Sequence, residues 1–164
     1  MNRELLTFLL GASPILEVRG AIPVAIGVFH LSPFWAYFWG VAGNFVPILP
    51  LLAGWYYFSE RLMKKSYWIN RFLTWLFAYT REKHQEKFNY HHHHHLRAVI
   101  EFFVLFAFVG IPIPLTGAWT ATVAAFVFGI PIRRAAPPIF LGVLASGAII
   151  LAMTVGIVNL PIFR

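Results

Sequence analysis

The apolar positions of this chain fall into a few long runs and several short ones, and run length decides what each can be. Two reach the roughly 20 residues that a helix needs to cross a bilayer. The first, Ser32–Phe58, opens with Trp35, Tyr37 and Trp39 and closes with Trp55, Tyr56 and Tyr57. At about 1.5 Å per residue, Trp35 and Trp55 stand about 30 Å apart, the depth of a hydrocarbon core. Aromatic rings at both ends form an interfacial belt, and Pro47 and Pro50 predict a kink in the second half. The second run, Ala135 to about Val158, carries Gly142, Ala145, Ser146, Gly147 and Ala148. Small residues let helices approach closely in lipid, which predicts a helix inside a bundle.

Four other runs are too short to cross alone. Leu5–Leu16 and Gly20–Leu31 flank Glu17-Val18-Arg19, while Ala98–Ile111 and Gly117–Ile130 flank Pro112-Ile113-Pro114-Leu115-Thr116. Helices of this length reach only about 18–21 Å. Each pair therefore predicts a re-entrant helical hairpin that enters, turns at mid-depth and leaves on the same side. Open backbone at that depth must be buried in protein or line a wet cavity. Superposing Gly20 on Gly117 aligns Arg-Gly-Ala with Thr-Gly-Ala and Phe29 with Phe126. Each half then reads as one hairpin plus one span, and a single crossing per half forces the second copy to be inverted.

Ser59–Arg97 joins the halves and holds eight Lys/Arg and three Glu. Its apolar, aromatic middle, Tyr67–Tyr79, predicts a helix lying in the interface. The expected fold is thus all-α and membrane-integral: a single domain with repeats over 1–58 and 98–164 and a basic linker over 59–97. Composition agrees, since 59% of the 164 residues are hydrophobic and only 12% charged, against about 25% charged in soluble domains. Mean hydropathy is +0.70. The N-terminal stretch imitates a signal peptide but lacks a small-x-small cleavage site, and is expected to be retained. There is no cysteine, so disulfide and thiolate chemistry are excluded.

A formal charge of +7 raises nucleic acid as a partner, but the cations follow membrane topology instead. With the linker in the cytoplasm, Arg133 and Arg134 return to the same side and only Arg3 and Arg164 lie outside, as the positive-inside rule asks. The expectation is a multi-pass plasma-membrane protein with both termini outside and no nucleic-acid partner.

Glu17 and Arg19 are the most informative residues. A charge at bilayer centre costs on the order of 2.5–3.5 kcal/mol, so both should face the protein interior. Residues two apart diverge on a helix, so mutual pairing predicts non-helical backbone, with Gly20 and Pro23 marking the break. The alternatives are a proton or substrate site and an ion pair that fixes the turn. The second elbow carries no charge. Pro112 and Pro114 end one half-helix, and Thr116 and Gly117 can open the next, whose N-terminus would suit an anion. Trp119 and Thr120 follow; the bland reading is a packing turn with self-satisfied threonines. Glu101 is a second proton-site candidate, or one half of a structural pair with Arg97 one turn earlier. His91–His95 invites a metal, but metal sites need fixed geometry; a solvated linker, an adventitious binder or an inserted tag explains the run. Asp is absent, and no zinc, P-loop or Rossmann pattern occurs. No metal, no cofactor and no enzyme activity are expected.

Pro14-Ile-Leu-Glu17-Val-Arg19-Gly20-Ala-Ile-Pro23 and Ile111-Pro112-Ile-Pro114-Leu-Thr116-Gly117-Ala-Trp119-Thr120 together resemble the putative small multi-drug export protein family, related to the DedA membrane proteins. Family members more often carry Gly where Leu115 stands. The resemblance implies facing re-entrant hairpins and drug export. By way of the DedA relation it also implies proton-dependent transport or lipid-carrier translocation. On that likeness Glu17 is the proton-responsive acid and Arg19 the base that contacts an anion or headgroup. Three functions compete: a proton-coupled exporter of small organic or lipidic molecules, a lipid or polyprenyl-phosphate translocase, and a non-transporting subunit or assembly factor. Partners are then the bilayer, protons and a small-molecule or lipid substrate, and a chain this small is compatible with a homodimer.

Overall fold

The computed structural model describes the backbone of residues 2–65, 94–112 and 116–158, with side chains over 2–55, 98–112 and 116–157. The interfacial helix expected at Tyr67–Tyr79, the side chains of His91–His95, and Pro114 lie outside the described residues. Within them all regular structure is helical: α1 (Arg3–Ala12), α2 (Glu17–Gly27), α3 (Pro33–Lys65), α4 (His94–Gly110), α5 (Ala118–Val127) and α6 (Ile132–Val158). Pro33–Trp55 and Ile132–Ile157 are long and apolar enough to cross a membrane. Helix α3 runs on to Lys65, past the expected repeat boundary at Phe58, because Ser59–Lys65 contains neither Gly nor Pro. Helix α6 begins three residues before the expected Ala135, so Arg133 and Arg134 fall in its first turn.

The short helices pair up ahead of the long ones. Arg3 at the start of α1 donates from Nη1 to the Phe29 carbonyl, 3.2 Å away, just past the end of α2. The start of α1 and the end of α2 therefore share one end of the bundle. In the second half, Glu101 in the middle of α4 lies 4.0 Å from Arg134 at the start of α6. Helix α1 packs on α2 and α3, and α4 packs on α5 and α6. The buried positions of α2 are Glu17, Val18, Ala21, Ile22 and Ala25; those of α5 include Ala118, Ala121, Thr122 and Ala125, with Gly117 buried just before it. The two faces stay in step when position 17 lies on 117. That register lies three residues, close to one helical turn, from the superposition of Gly20 on Gly117.

The long helices cross antiparallel. Tyr37, early in α3, donates its hydroxyl proton to the Leu144 carbonyl at 3.1 Å. Further along α3, Phe45 meets Phe140, earlier in α6, with ring centroids 4.4 Å apart. Ile48 and Leu52 of α3 and Ile139 and Val143 of α6 share the core with Val18 and Ile22 of α2. Close crossings rest on glycine. A Cβ at Gly43 would strike the backbone of Phe8, and one at Gly11 would strike the Gly40 carbonyl.

Candidate functional site

The two elbows meet. The first is the turn Ser13–Leu16, and α2 begins at Glu17, so both Glu17 and Arg19 lie in a helical first turn. The expected break at Gly20 and Pro23 is corrected: both sit inside α2, and Gly20 donates its N–H to the Leu16 carbonyl at 2.8 Å. Pro23, the seventh residue of α2, lacks the N–H that would bond to the Arg19 carbonyl, so the helix continues past it at the cost of one backbone bond. Glu17 enters the helix with φ of 48°. That left-handed conformation costs a non-glycine residue on the order of 1–3 kcal/mol and persists only where its surroundings hold it.

What holds Glu17 is the other elbow. One carboxylate oxygen accepts the Trp119 N–H at 3.2 Å and the other the Ala118 N–H at 3.4 Å. Gly117, which precedes α5, has no side chain to cap the helix; Thr120 covers only its own end by accepting the Gly117 N–H at 2.9 Å. Glu17 supplies the missing cap across the bundle. It is 7% exposed and sits where the N-terminal ends of α2 and α5 converge, both favouring negative charge. Gly117 is required by this approach, since a Cβ there would lie 2.6 Å from the Glu17 carboxyl carbon. The helix N-terminus expected to suit an anion is therefore met by an anion of the chain itself.

Arg19 completes the contact. Its Nη2 donates to the Thr116 hydroxyl at 3.3 Å, and that hydroxyl is 3.3 Å from the Ile111 carbonyl across the second elbow. The structure thus brings Glu17 and Arg19 against Thr116, Gly117 and Trp119, with Thr120 closing the cap. Pro112 lies in the second elbow, and Pro23 is one turn further along α2. Glu101 is elsewhere, beside Arg134 of α6, a partner that proximity in sequence did not suggest; the side chain of Arg97 is outside the described residues. No cluster of His and acidic side chains suited to a metal occurs among the described residues.

The contact between Trp55 and Thr122 was not anticipated. Trp55, at the apolar end of α3, donates its indole N–H to the Thr122 hydroxyl at 3.3 Å and stacks on Phe126, tying α3 to α5. The indole Nε1 of Trp119 is buried with no partner among the described residues. Nothing in composition distinguishes Trp55 from a belt aromatic.

A family model described as "Putative small multi-drug export protein" matches residues 17–149. The chain belongs to this family. The match begins at Glu17 and takes in both elbows and most of both long helices, so the family's shared region contains the whole contact. No curated protein and no solved structure matches the chain. Family membership and two helices of spanning length identify a membrane protein, and the family's description speaks of export rather than of a reaction.

Proposed function

We propose that the chain is a small proton-coupled exporter of organic or lipidic molecules, in which Glu17 is the proton-responsive acid and Arg19 the base that meets the polar end of the substrate. The observation that carries this is the buried Glu17 carboxylate capping α5 from the opposite hairpin, with Arg19 beside it. Bonds from N–H groups to a carboxylate are roughly twice as strong as neutral ones. Protonating Glu17 would weaken both of its bonds to α5 and leave the elbows joined there by the Arg19–Thr116 hydrogen bond. Proton loading and the separation of the two hairpin tips are thereby linked, which is what alternating access needs. The unpartnered Trp119 indole N–H adds a donor for substrate at the same place.

The architecture we infer is a pair of inverted repeats, each a re-entrant hairpin followed by a span. Antiparallel α3 and α6, hairpins whose arms return to one end, and buried faces in step between α2 and α5 all support it. The linker would face the cytoplasm and both termini the outside of the plasma membrane. The test is transport by reconstituted vesicles under an imposed proton gradient, with a panel of drugs and a labelled polyprenyl phosphate. Glu17→Gln should abolish gradient-driven export while the protein still folds. Unchanged export and pH dependence in that variant would sink the reading. Lipid movement that ignores the gradient would favour a translocase of DedA type, and movement of neither class a non-transporting subunit.

A further inference from the structure

Trp55 belongs by sequence to the aromatic belt at the end of the first span, where an indole ordinarily presents its N–H to the headgroups. In the structure it turns inward. Its N–H donates to the Thr122 hydroxyl at 3.3 Å, and its ring stacks on Phe126 with centroids 6.2 Å apart. Thr122 is fully buried. Its hydroxyl accepts from Trp55 and gives its own proton to the Trp119 carbonyl at 2.7 Å. The Trp119 backbone is thus held on both sides. Glu17 of α2 takes its N–H, while Thr122, itself held by Trp55 of α3, takes its carbonyl.

The α3 side of this chain of bonds matters because α5 has only 10 residues, and a helix that short is marginal without tertiary contacts. It packs more extensively on α3 than on α4, the other arm of its own hairpin. Helix α3 also carries the first hairpin, with Gly40 against Ile22 and Gly43 against Phe8. One helix therefore braces both sides of the cap: α2, which bears the carboxylate, and α5, which bears the N–H groups. The two bonds of Glu17 to α5, at 3.2 and 3.4 Å, lie at the long end of the hydrogen-bonding range, so a small drift of α5 would break them. We propose that Trp55 is a positioning residue for the Glu17 cap: its indole N–H, acting through the Thr122 hydroxyl, holds the first turn of α5 within reach of the carboxylate. This deepens the role proposed for Glu17 and takes its functional meaning from that reading.

The test is amide hydrogen exchange, followed by nuclear magnetic resonance on the full chain in detergent with nitrogen-labelled tryptophan. One label marks both the Trp119 backbone N–H and the Trp55 indole. The Trp119 N–H lies in the first turn of α5, where no intrahelical acceptor protects it, so its protection measures the cap. Glu17→Gln sets the scale of the loss. Trp55→Phe, which keeps a ring on Phe126, should speed Trp119 exchange about fivefold, the equivalent of one ordinary hydrogen bond. Thr122→Val should do the same, whereas Thr122→Ser, which keeps the hydroxyl, should not. Tyr37→Phe removes a different tie from α3, to the Leu144 carbonyl of α6, and should leave Trp119 unchanged. Unchanged Trp119 exchange in both Trp55→Phe and Thr122→Val would overturn the inference. So would acceleration shared equally by the Trp39 backbone N–H, or a Trp119 N–H that exchanges freely in the parent chain. Loss of protection alongside undiminished export by Glu17→Gln would instead retire the proton-coupled reading and leave Trp55 as the residue that positions the cap.

Discussion

At the scale of the residue, the site turns on a carboxylate used as a helix cap by a helix about a hundred positions away. Caps are ordinarily local, contributing about 0.5–2 kcal/mol, and this one is buried as well as distant. Glu17→Gln keeps an acceptor but sacrifices charge and one of the two N–H bonds. It should cost about 1–2 kcal/mol in unfolding free energy, together with gradient-driven export. Gly117→Ala approaches the same contact from the other side: its methyl group would occupy the position of the Glu17 carboxyl. The variant should reproduce the export defect with Glu17 itself intact; normal export in Gly117→Ala would show that the cap is dispensable. Thr116→Val, which removes the acceptor for Arg19, should weaken export less, since Arg19 keeps its charge and place. Glu17 and Arg19 were legible because charge inside an apolar stretch is rare and costly. Their partners were less so: Glu17 is bound by the backbone of Ala118 and Trp119, and no side-chain type marks a peptide N–H as available. What could be read was that Gly117 left a helix start uncapped.

At the scale of the element, the glycines of α3 separate close approach from mere flexibility. A Cβ at Gly43 meets the Phe8 backbone, whereas one at Gly54 meets nothing within 4 Å. Gly43→Ala should therefore force α1 away from α3 and destabilise the protein by about 1–3 kcal/mol. Gly54→Ala should be neutral or stabilising by up to about 1 kcal/mol, because alanine is the better helix former. Thermal unfolding of the two variants side by side checks this, and equal midpoints would contradict the crossing geometry. Element lengths were the most readable part of the fold. Spans of about 20 residues and arms of about 12 follow from counting apolar positions. The start of α2 is misplaced by reading Gly20 and Pro23 as a break, whereas packing against α3 and α6 carries the helix through both. The Gly-Val-x-small-polar pattern shared by Gly40–Asn44 of α3 and Gly142–Ser146 of α6 was present in the letters. In the structure Asn44 and Ser146 are buried with side-chain oxygens that have no partner among the described residues.

At the scale of the whole molecule, the proposed inverted arrangement makes the outer ends of the two hairpins the most informative positions. Val28, after α2, and Phe128, after α5, are both well exposed, at 64% and 52%. They follow the buried faces that keep step between the hairpins, so a parallel duplication and an inverted one both leave them equivalent within the chain. Only an inverted one places them on opposite sides of the membrane. The chain contains no cysteine, so Val28→Cys and Phe128→Cys can each be introduced alone without a background thiol. With a membrane-impermeant maleimide on intact cells, Val28→Cys should label from outside, and Phe128→Cys only after the membrane is opened. Labelling of both from one side would refute the inversion, and with it the meeting of the elbows from opposite faces. The arrangement of charge gives the direction its physical basis. In the proposed topology Arg133 and Arg134, a few residues past Phe128, would share its side with the eight cations of the linker, whereas Val28 has Arg3 nearby, held at the Phe29 carbonyl. Moving that balance should move the protein. Replacing Arg133 and Arg134 with glutamine while adding two lysines after Asn2 should produce a fraction of inverted molecules, detectable as Phe128→Cys that labels from outside.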